Sequence, residues 1–200
     1  MESDREHLRR LIDERCLVEG DFTLSTGAKS KFYFDCKAIT LNGEGLGLIA
    51  QALLEEITKF PVQPTAIGGL TLGADFMTAA VAVLSHMQGG PITDGSIVRK
   101  EPKKHGTKNK IENQVPAGTK IVVVDDVITT GSSTITACDE FLAADYEIVG
   151  ILAVVDREEG GRQKLEEKYG KRVSSLFKKS DFPRLASLAS ASLGTEQAAA

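Results

Sequence analysis

The sequence predicts an α/β fold in which a central parallel sheet is covered by helices on both faces. Two observations predict it. The strand-like segments are continuous apolar runs, as strands buried on both faces require, and stretches of helical periodicity separate one run from the next. Ligands of such sheets sit beyond the carboxyl ends of the strands, so the residues that follow each apolar run are the first place to look for chemistry.

Ser3 and Glu6 have the spacing of a capping box, and Leu8, Leu11, Ile12 and Cys16 then fall on one helical face. The segment FTLSTGAKSKFYFD (22–35) reads as two short strands around a glycine turn. Leu46, Ile49, Ala50, Leu53, Leu54 and Ile57 mark a regular helix. Strand and helix then alternate: PTAIGG with a helix from about Ala74 to Gln88, GSIVRK, TKIVVVDD with a helix from Ser132, and YEIVGILAVVD with a helix near Arg162. One domain over 1–185 is expected, and the low-complexity stretch 186–200 is expected to be a disordered tail. His7 and His86 fall in helical segments and read as structural.

Composition removes several function classes. At 200 residues, 42% hydrophobic and 26% charged, the chain can bury one good core. A net charge of −4 argues against general binding of nucleic acid, which needs a broad basic surface. Cys16, Cys36 and Cys138 are odd in number and widely spaced, so they form neither a disulfide framework nor a metal spacing. The opening MESDREHLRR is charged where a secretion signal would be apolar, and no run is long enough for a membrane span. The expectation is a soluble cytoplasmic protein.

The stretch VVVDDVITTGSST (122–134) carries the chemistry. Two adjacent aspartates at the end of a buried strand suffer both desolvation and mutual repulsion, so a ligand must favour them. Alone, they would be read as turn caps. Behind them, however, Thr129, Thr130, Gly131, Ser132, Ser133 and Thr134 offer permissive backbone, hydroxyls and the N–H groups of a helix start, which is what a phosphate monoester needs. Asp125 and Asp126 can accept hydrogen bonds from the vicinal hydroxyls of a sugar next to that phosphate. The pattern spells a ribose phosphate site and lacks the Gly-Lys-Ser/Thr ending of a nucleotide P-loop.

That stretch resembles the ribosyl-phosphate signature of the type I phosphoribosyltransferases: four apolar residues, two acids, then threonine and glycine among small residues. The resemblance implies the type I phosphoribosyltransferase fold, with a small hood formed by about 1–40 and the C-terminal part. It also implies that Asp125 and Asp126 hold the ribose of phosphoribosyl pyrophosphate while Val127 and 129–134 surround its 5-phosphate. IGGLTLGADF (67–76) is similar to the family's pyrophosphate loop, which makes Thr71 a candidate contact.

RKEPKKHGTKNK (99–110) carries six Lys or Arg in an otherwise acidic chain. A charge run usually means a solvated face. Its spacing nevertheless resembles the catalytic loop of the orotate phosphoribosyltransferase branch, where Arg99, Lys100, Lys103, Lys104 and His105 would meet pyrophosphate and Lys103 or His105 would supply a proton. FTLSTGAKSKFYFDCK is similar to the hood strand of that branch, with Tyr33 and Phe34 on the pocket positions. AVVDREEGGR places Arg157 where the branch has an arginine near the base, and Thr129 is implied beside it. Two family lysines are absent, at Ser25 in the hood and at Thr71/Leu72 in the pyrophosphate loop; some relatives, actinobacterial ones among them, share both features. Lys29 and Lys31 lie close enough in sequence to substitute.

The resemblance implies transfer of the 5-phosphoribosyl group from phosphoribosyl pyrophosphate to orotate, giving orotidine 5-monophosphate in pyrimidine synthesis. Mg²⁺ is implied through the substrate, with Asp125 and Asp126 as further contacts, and so is a homodimer whose basic loop covers the neighbour's site. The alternatives are a transferase for a purine or another base, which the hood and the basic loop oppose, and a phosphoribosyl-binding regulator, which would need a DNA-binding module or basic face.

Overall fold

The apolar runs do form strands, and the computed structural model describes residues 2–23, 29–101 and 109–184 around them. Helix α1 (Asp4–Arg15) leads into a two-stranded antiparallel sheet of β1 (Leu17–Thr23) and β2 (Lys29–Phe34). Two helices follow, α2 (Lys37–Thr40) and α3 (Gly43–Ile57). The alternating portion then runs β3 (Ala66–Leu70), α4 (Asp75–Met87), β4 (Asp94–Val98), β5 (Ile111–Glu112), β6 (Lys120–Ile128), α5 (Ser132–Ala143), β7 (Glu147–Asp156), α6 (Gly161–Tyr169) and β8 (Val173–Lys178).

The large sheet has the order β5-β4-β3-β6-β7-β8. From β3 the chain moves outward through β4 to β5, then returns to the other side of β3 and moves outward again through β6, β7 and β8. The order therefore reverses between β3 and β6, and the loops that leave these two adjacent strands open a crevice at their carboxyl ends. Both stretches singled out from sequence, 67–76 and 122–134, border it.

Side chains of β6 alternate between two cores. Val122 and Val124 join the cluster beneath α1, α3 and α4, whereas Ile121 and Val123 join the one beneath α5 with Phe141 and Leu165. All four are at most 1% exposed, and each such side chain stabilises the fold by about 1.5–3 kcal/mol. The same alternation sends Asp125 toward α5 and Asp126 to the opposite side, where Lys37 lies.

Four features depart from the expectations. Strand β6 does not end before the aspartates but continues through them to Ile128, because Asp125, Val127 and Ile128 still pair with Ala153, Val155 and Asp156 of β7. The sheet is not purely parallel: β5 closes its edge antiparallel to β4. Strand β8, absent from the sequence reading, closes the other edge. At α1 only half of the capping box forms; Ser3 Oγ accepts from the Glu6 N–H, while the Glu6 carboxylate pairs with Arg9. The three cysteines are free and buried, as expected.

The C-terminal segment packs back on the N-terminal one. Phe182 lies edge-on to Phe34 at 5.6 Å, and Arg184 donates to the Asp13 carbonyl at 2.7 Å. The proposed tail at 186–200 lies outside the described residues. Among those residues no helix is long and apolar enough to cross a membrane.

Candidate active site

Asp125 is 6% exposed. Its Oδ2 accepts from the Thr134 hydroxyl at 2.7 Å and its Oδ1 from the Asp126 N–H at 3.0 Å. Burial pushes its carboxyl up from 3.8 to about 7, and the adjacent Asp126 charge adds to the shift, while the Thr134 hydrogen bond pulls the other way. Asp126 is half-buried, and its Oδ1 accepts from the Val127 N–H at 2.8 Å. The pair thus combines a nearly solvent-free carboxyl bound to α5 with one facing the crevice.

Beyond them the chain turns at Gly131, whose φ of +77° favours glycine, and enters α5 with no side-chain cap. An uncapped first turn presents its N–H groups to whatever lies in front of it. Thr130 and Ser132 hydroxyls lie 3.0 Å apart at the rim. Thr134, in contrast, is turned inward to Asp125, so its hydroxyl braces the acidic pair and is not free for the phosphate contact expected of 129–134. The loop is held from behind by the start of α6. The Gly161 N–H donates to the Thr129 carbonyl at 3.0 Å, and a Cβ on Gly161 would collide with that carbonyl and lie 2.7 Å from the Gly131 nitrogen.

The opposite wall is the loop after β3. Thr71 donates its hydroxyl to Asp75 at 2.7 Å, its N–H bonds Val98, and the Thr71–Leu72 peptide is cis. Gly73 approaches the acidic pair so closely that a Cβ there would stand 2.9 Å from Asp126 Oδ1 and 3.1 Å from Asp125 Oδ1. Lys37, Leu70, Thr71, Leu72, Gly73, Lys100, Asp125, Asp126 and Ser133 line one cleft of 150 Å³. It adjoins, through Thr71 and Lys100, a second hollow of 630 Å³ that also includes Arg99, Glu101 and Glu112. A further hollow of 360 Å³ near Leu142, Tyr146 and Tyr169 lies at the start of β7, away from the strand carboxyl ends.

The remaining candidates divide. Arg157 is not a surface charge: it is 7% exposed, its N–H bonds the Ile128 carbonyl at 2.9 Å, and its Nη2 pairs with Glu159 at 2.9 Å. Arg99 pairs with Glu112 at 2.7 Å across the β4–β5 edge. Tyr33 is 42% exposed and its ring meets Phe22 at 5.6 Å, whereas Phe34 is 7% exposed and its ring lies in the core. Successive strand residues point to opposite faces, so these two rings do not share a pocket. Lys103, Lys104, His105 and Ser25 lie outside the described residues, and so do the side chains of Lys29 and Lys31. Lys37, which sequence did not single out, sits in the cleft instead; only the fold brings the start of α2 to Asp126.

A model of the phosphoribosyl transferase domain matches residues 38–183. The orotate phosphoribosyltransferase of Aquifex aeolicus is 46% identical over 181 residues, covering 89% of this chain and 97% of its own. The enzyme of the same name from Streptomyces avermitilis is 36% identical, over 83% of this chain and 90% of its own. Among solved structures, the Mycobacterium tuberculosis H37Rv orotate phosphoribosyltransferase in complex with 5-phospho-alpha-D-ribosyl 1-diphosphate superposes with a TM-score of 0.75 at 32% identity. The match covers 90% of this chain and 99% of that one.

Proposed function

Because the chain belongs to the orotate phosphoribosyltransferases, within the phosphoribosyl transferase domain family, we propose that it makes orotidine 5-monophosphate and pyrophosphate from orotate and phosphoribosyl pyrophosphate. The observation that carries this reading is the meeting of two walls in one cleft. The turn at Gly73 stands against the Asp125–Asp126 pair, and the uncapped start of α5 lies directly behind that pair. A ribose on the carboxylates would have its 5-phosphate at α5 and its C1 pyrophosphate at 70–73.

As N1 of orotate attacks C1, the bond from C1 to the pyrophosphate oxygen breaks, positive charge grows on the sugar and negative charge on the leaving group. Asp125 and Asp126 hold the hydroxyls and lie beside the growing cation. Lys100, with Lys103, Lys104 and His105 of the basic loop, receives the leaving group, and Lys103 or His105 gives it a proton. Arg157 offers a planar fork to a carboxylate or ring carbonyl of the base, held by Glu159. Tyr33 and Thr129 complete our assignment of the base site.

The donor set suits Mg²⁺ carried by the substrate, with Asp125 and Asp126 supplying hard carboxylate oxygens beside it. When bound, the ion would screen the pyrophosphate charge. We also assign a homodimer, in which the exposed Val83 and Met87 of α4 are candidates for cover by the partner. The free buried thiols suit a reducing cytoplasm.

The test is turnover with phosphoribosyl pyrophosphate and Mg²⁺, offering orotate, uracil or adenine. Orotate alone should be consumed efficiently, because a site that pairs a cation with the carboxylate discriminates strongly against bases lacking it. Comparable use of uracil or adenine would overturn the assignment.

A further inference from the structure

Lys37 is placed with unusual firmness for a lysine at the edge of a cleft. It opens α2, whose cap Cys36 and following Ile39 and Thr40 are all at most 1% exposed, so the helix is anchored in the core. Asp35 Oδ1 accepts from the Lys37 N–H at 3.1 Å and from its Nζ at 3.2 Å, which fixes the backbone and aims the side chain. Lys37 lines the same 150 Å³ cleft as 70–73, Asp125, Asp126 and Ser133.

The charge pattern of this cleft calls for such a cation. The Leu-Thr-Leu-Gly wall at 70–73 has none, and two carboxylates stand against Gly73. A pyrophosphate entering there meets like charge unless cations compensate, since backbone N–H groups supply only partial charges. Lys37 and Lys100 are the cations lining the cleft among the described residues. Burial works against the Lys37 charge, but the hydrogen bond to Asp35 and the fields of Asp35, Asp126 and Tyr33 outweigh it and raise its pKa overall. Its side chain is 41% exposed, leaving the ammonium room to swing from Asp35 to a ligand.

We propose that Lys37 is a further substrate-binding residue, whose ammonium passes from Asp35 to the pyrophosphate oxygens of phosphoribosyl pyrophosphate and stays with them as the bond to C1 breaks. The assignment rests on the phosphoribosyl-transfer reading above and adds to it a cation that is fixed on the core side of the cleft, independent of the basic loop. Lys37→Met and Lys37→Arg, made in the full chain, test it. Calorimetry with inorganic pyrophosphate and with ribose 5-phosphate, both in Mg²⁺ buffer, should find pyrophosphate binding weakened in Lys37→Met on the order of 10- to 100-fold. Ribose 5-phosphate binding should be unchanged. kcat/KM for phosphoribosyl pyrophosphate should fall with the pyrophosphate affinity, Lys37→Arg should restore most of both, and the melting temperature should hold, because an exposed Asp–Lys pair contributes little to stability. Lys37→Gln gives the same comparison if the methionine variant does not fold. Equal pyrophosphate binding by wild type and Lys37→Met would overturn the proposal, as would equal loss of both ligands with a lowered melting temperature. Wild type turning over orotate alongside an unaffected Lys37→Met removes only the role of Lys37, whereas wild type inactive on orotate removes the reading beneath it.

Discussion

Thr134 Oγ1 donates to Asp125 Oδ2 at 2.7 Å, and the two residues are 2% and 6% exposed. One buried hydrogen bond therefore joins the first turn of α5 to the carboxylate proposed to hold the sugar. It ties the loop that opens α5 to the acidic pair.

Thr134→Val keeps the shape of the side chain and removes the donor. Asp125 then loses its buried donor and is pushed further toward the protonated form, and the lost hydrogen bond costs about 1–3 kcal/mol of stability. Denaturant unfolding should register that loss. kcat/KM for phosphoribosyl pyrophosphate should fall at least about tenfold as the carboxylate loses its fixed orientation. A valine variant as stable and as active as wild type would show that the bond is incidental.

Asp125 also makes metal-free stability depend on pH with a definite sign. Its carboxyl binds a proton more tightly in the folded chain, at about 7, than at the ordinary value of 3.8 in the unfolded chain. Between these values the folded state holds more protons, so the stability this group contributes is complete below about pH 4 and is lost as pH rises through 7. In EDTA, the unfolding free energy of wild type minus that of Asp125→Asn should fall across this window by up to about 1.4 kcal/mol per pH unit. A flat or rising difference would contradict the shift.

Sequence and structure agree most closely where local pattern and chemistry coincide. In 122–134 the apolar run, the acids and the small residues all lie in one continuous segment, and their roles follow from the ends of a strand and a helix. The agreement weakens where a role is set by distant neighbours. Arg157 looks like a charge after a strand until the pairing of β6 with β7 buries it beside Glu159. Phe34 reads as a pocket ring like Tyr33, but strand alternation turns it into the core, where it meets Phe182, far along the chain. Lys37 has no motif around it; its proximity to Asp126 arises from the way α2 packs beside α3 and α1. Strand β5 consists of two residues, and Ser96, which donates to the Asn113 carbonyl at 3.1 Å, helps to hold that edge. A periodicity cannot register in so short an element.

The contact between α6 and the cradle yields a further expectation. Gly161→Ala would drive a methyl group into the Thr129 carbonyl and the Gly131 nitrogen, both backbone atoms that cannot rotate away. The loop must shift, displacing the N–H groups at the start of α5. Ribose 5-phosphate affinity should drop by about tenfold or more, and overpacking should cost about 1–3 kcal/mol. Gly160→Ala, by contrast, meets no neighbouring atom but must adopt a φ of +85°, so its effect should fall on stability and spare the ligand. Equal ligand binding by wild type and Gly161→Ala would show that α6 does not shape the cradle.

Sharing of the basic loop across the proposed dimer can be decided by mixing subunits. Lys103→Ala removes a cation of the loop, and the Asp125→Asn/Asp126→Asn double change disables the cradle; each protein alone should be nearly inactive. Unfolded, combined in equal amounts and refolded, random pairing gives about half heterodimers, and each heterodimer joins one intact loop to one intact cradle at a single site. Activity should recover to roughly a quarter of wild type if each loop serves its neighbour. If each loop serves its own subunit, the two defects stay in separate sites and mixing restores nothing. With heterodimers verified by native mass spectrometry, activity at the parental background would reject the shared site and leave the orotate reaction itself in place.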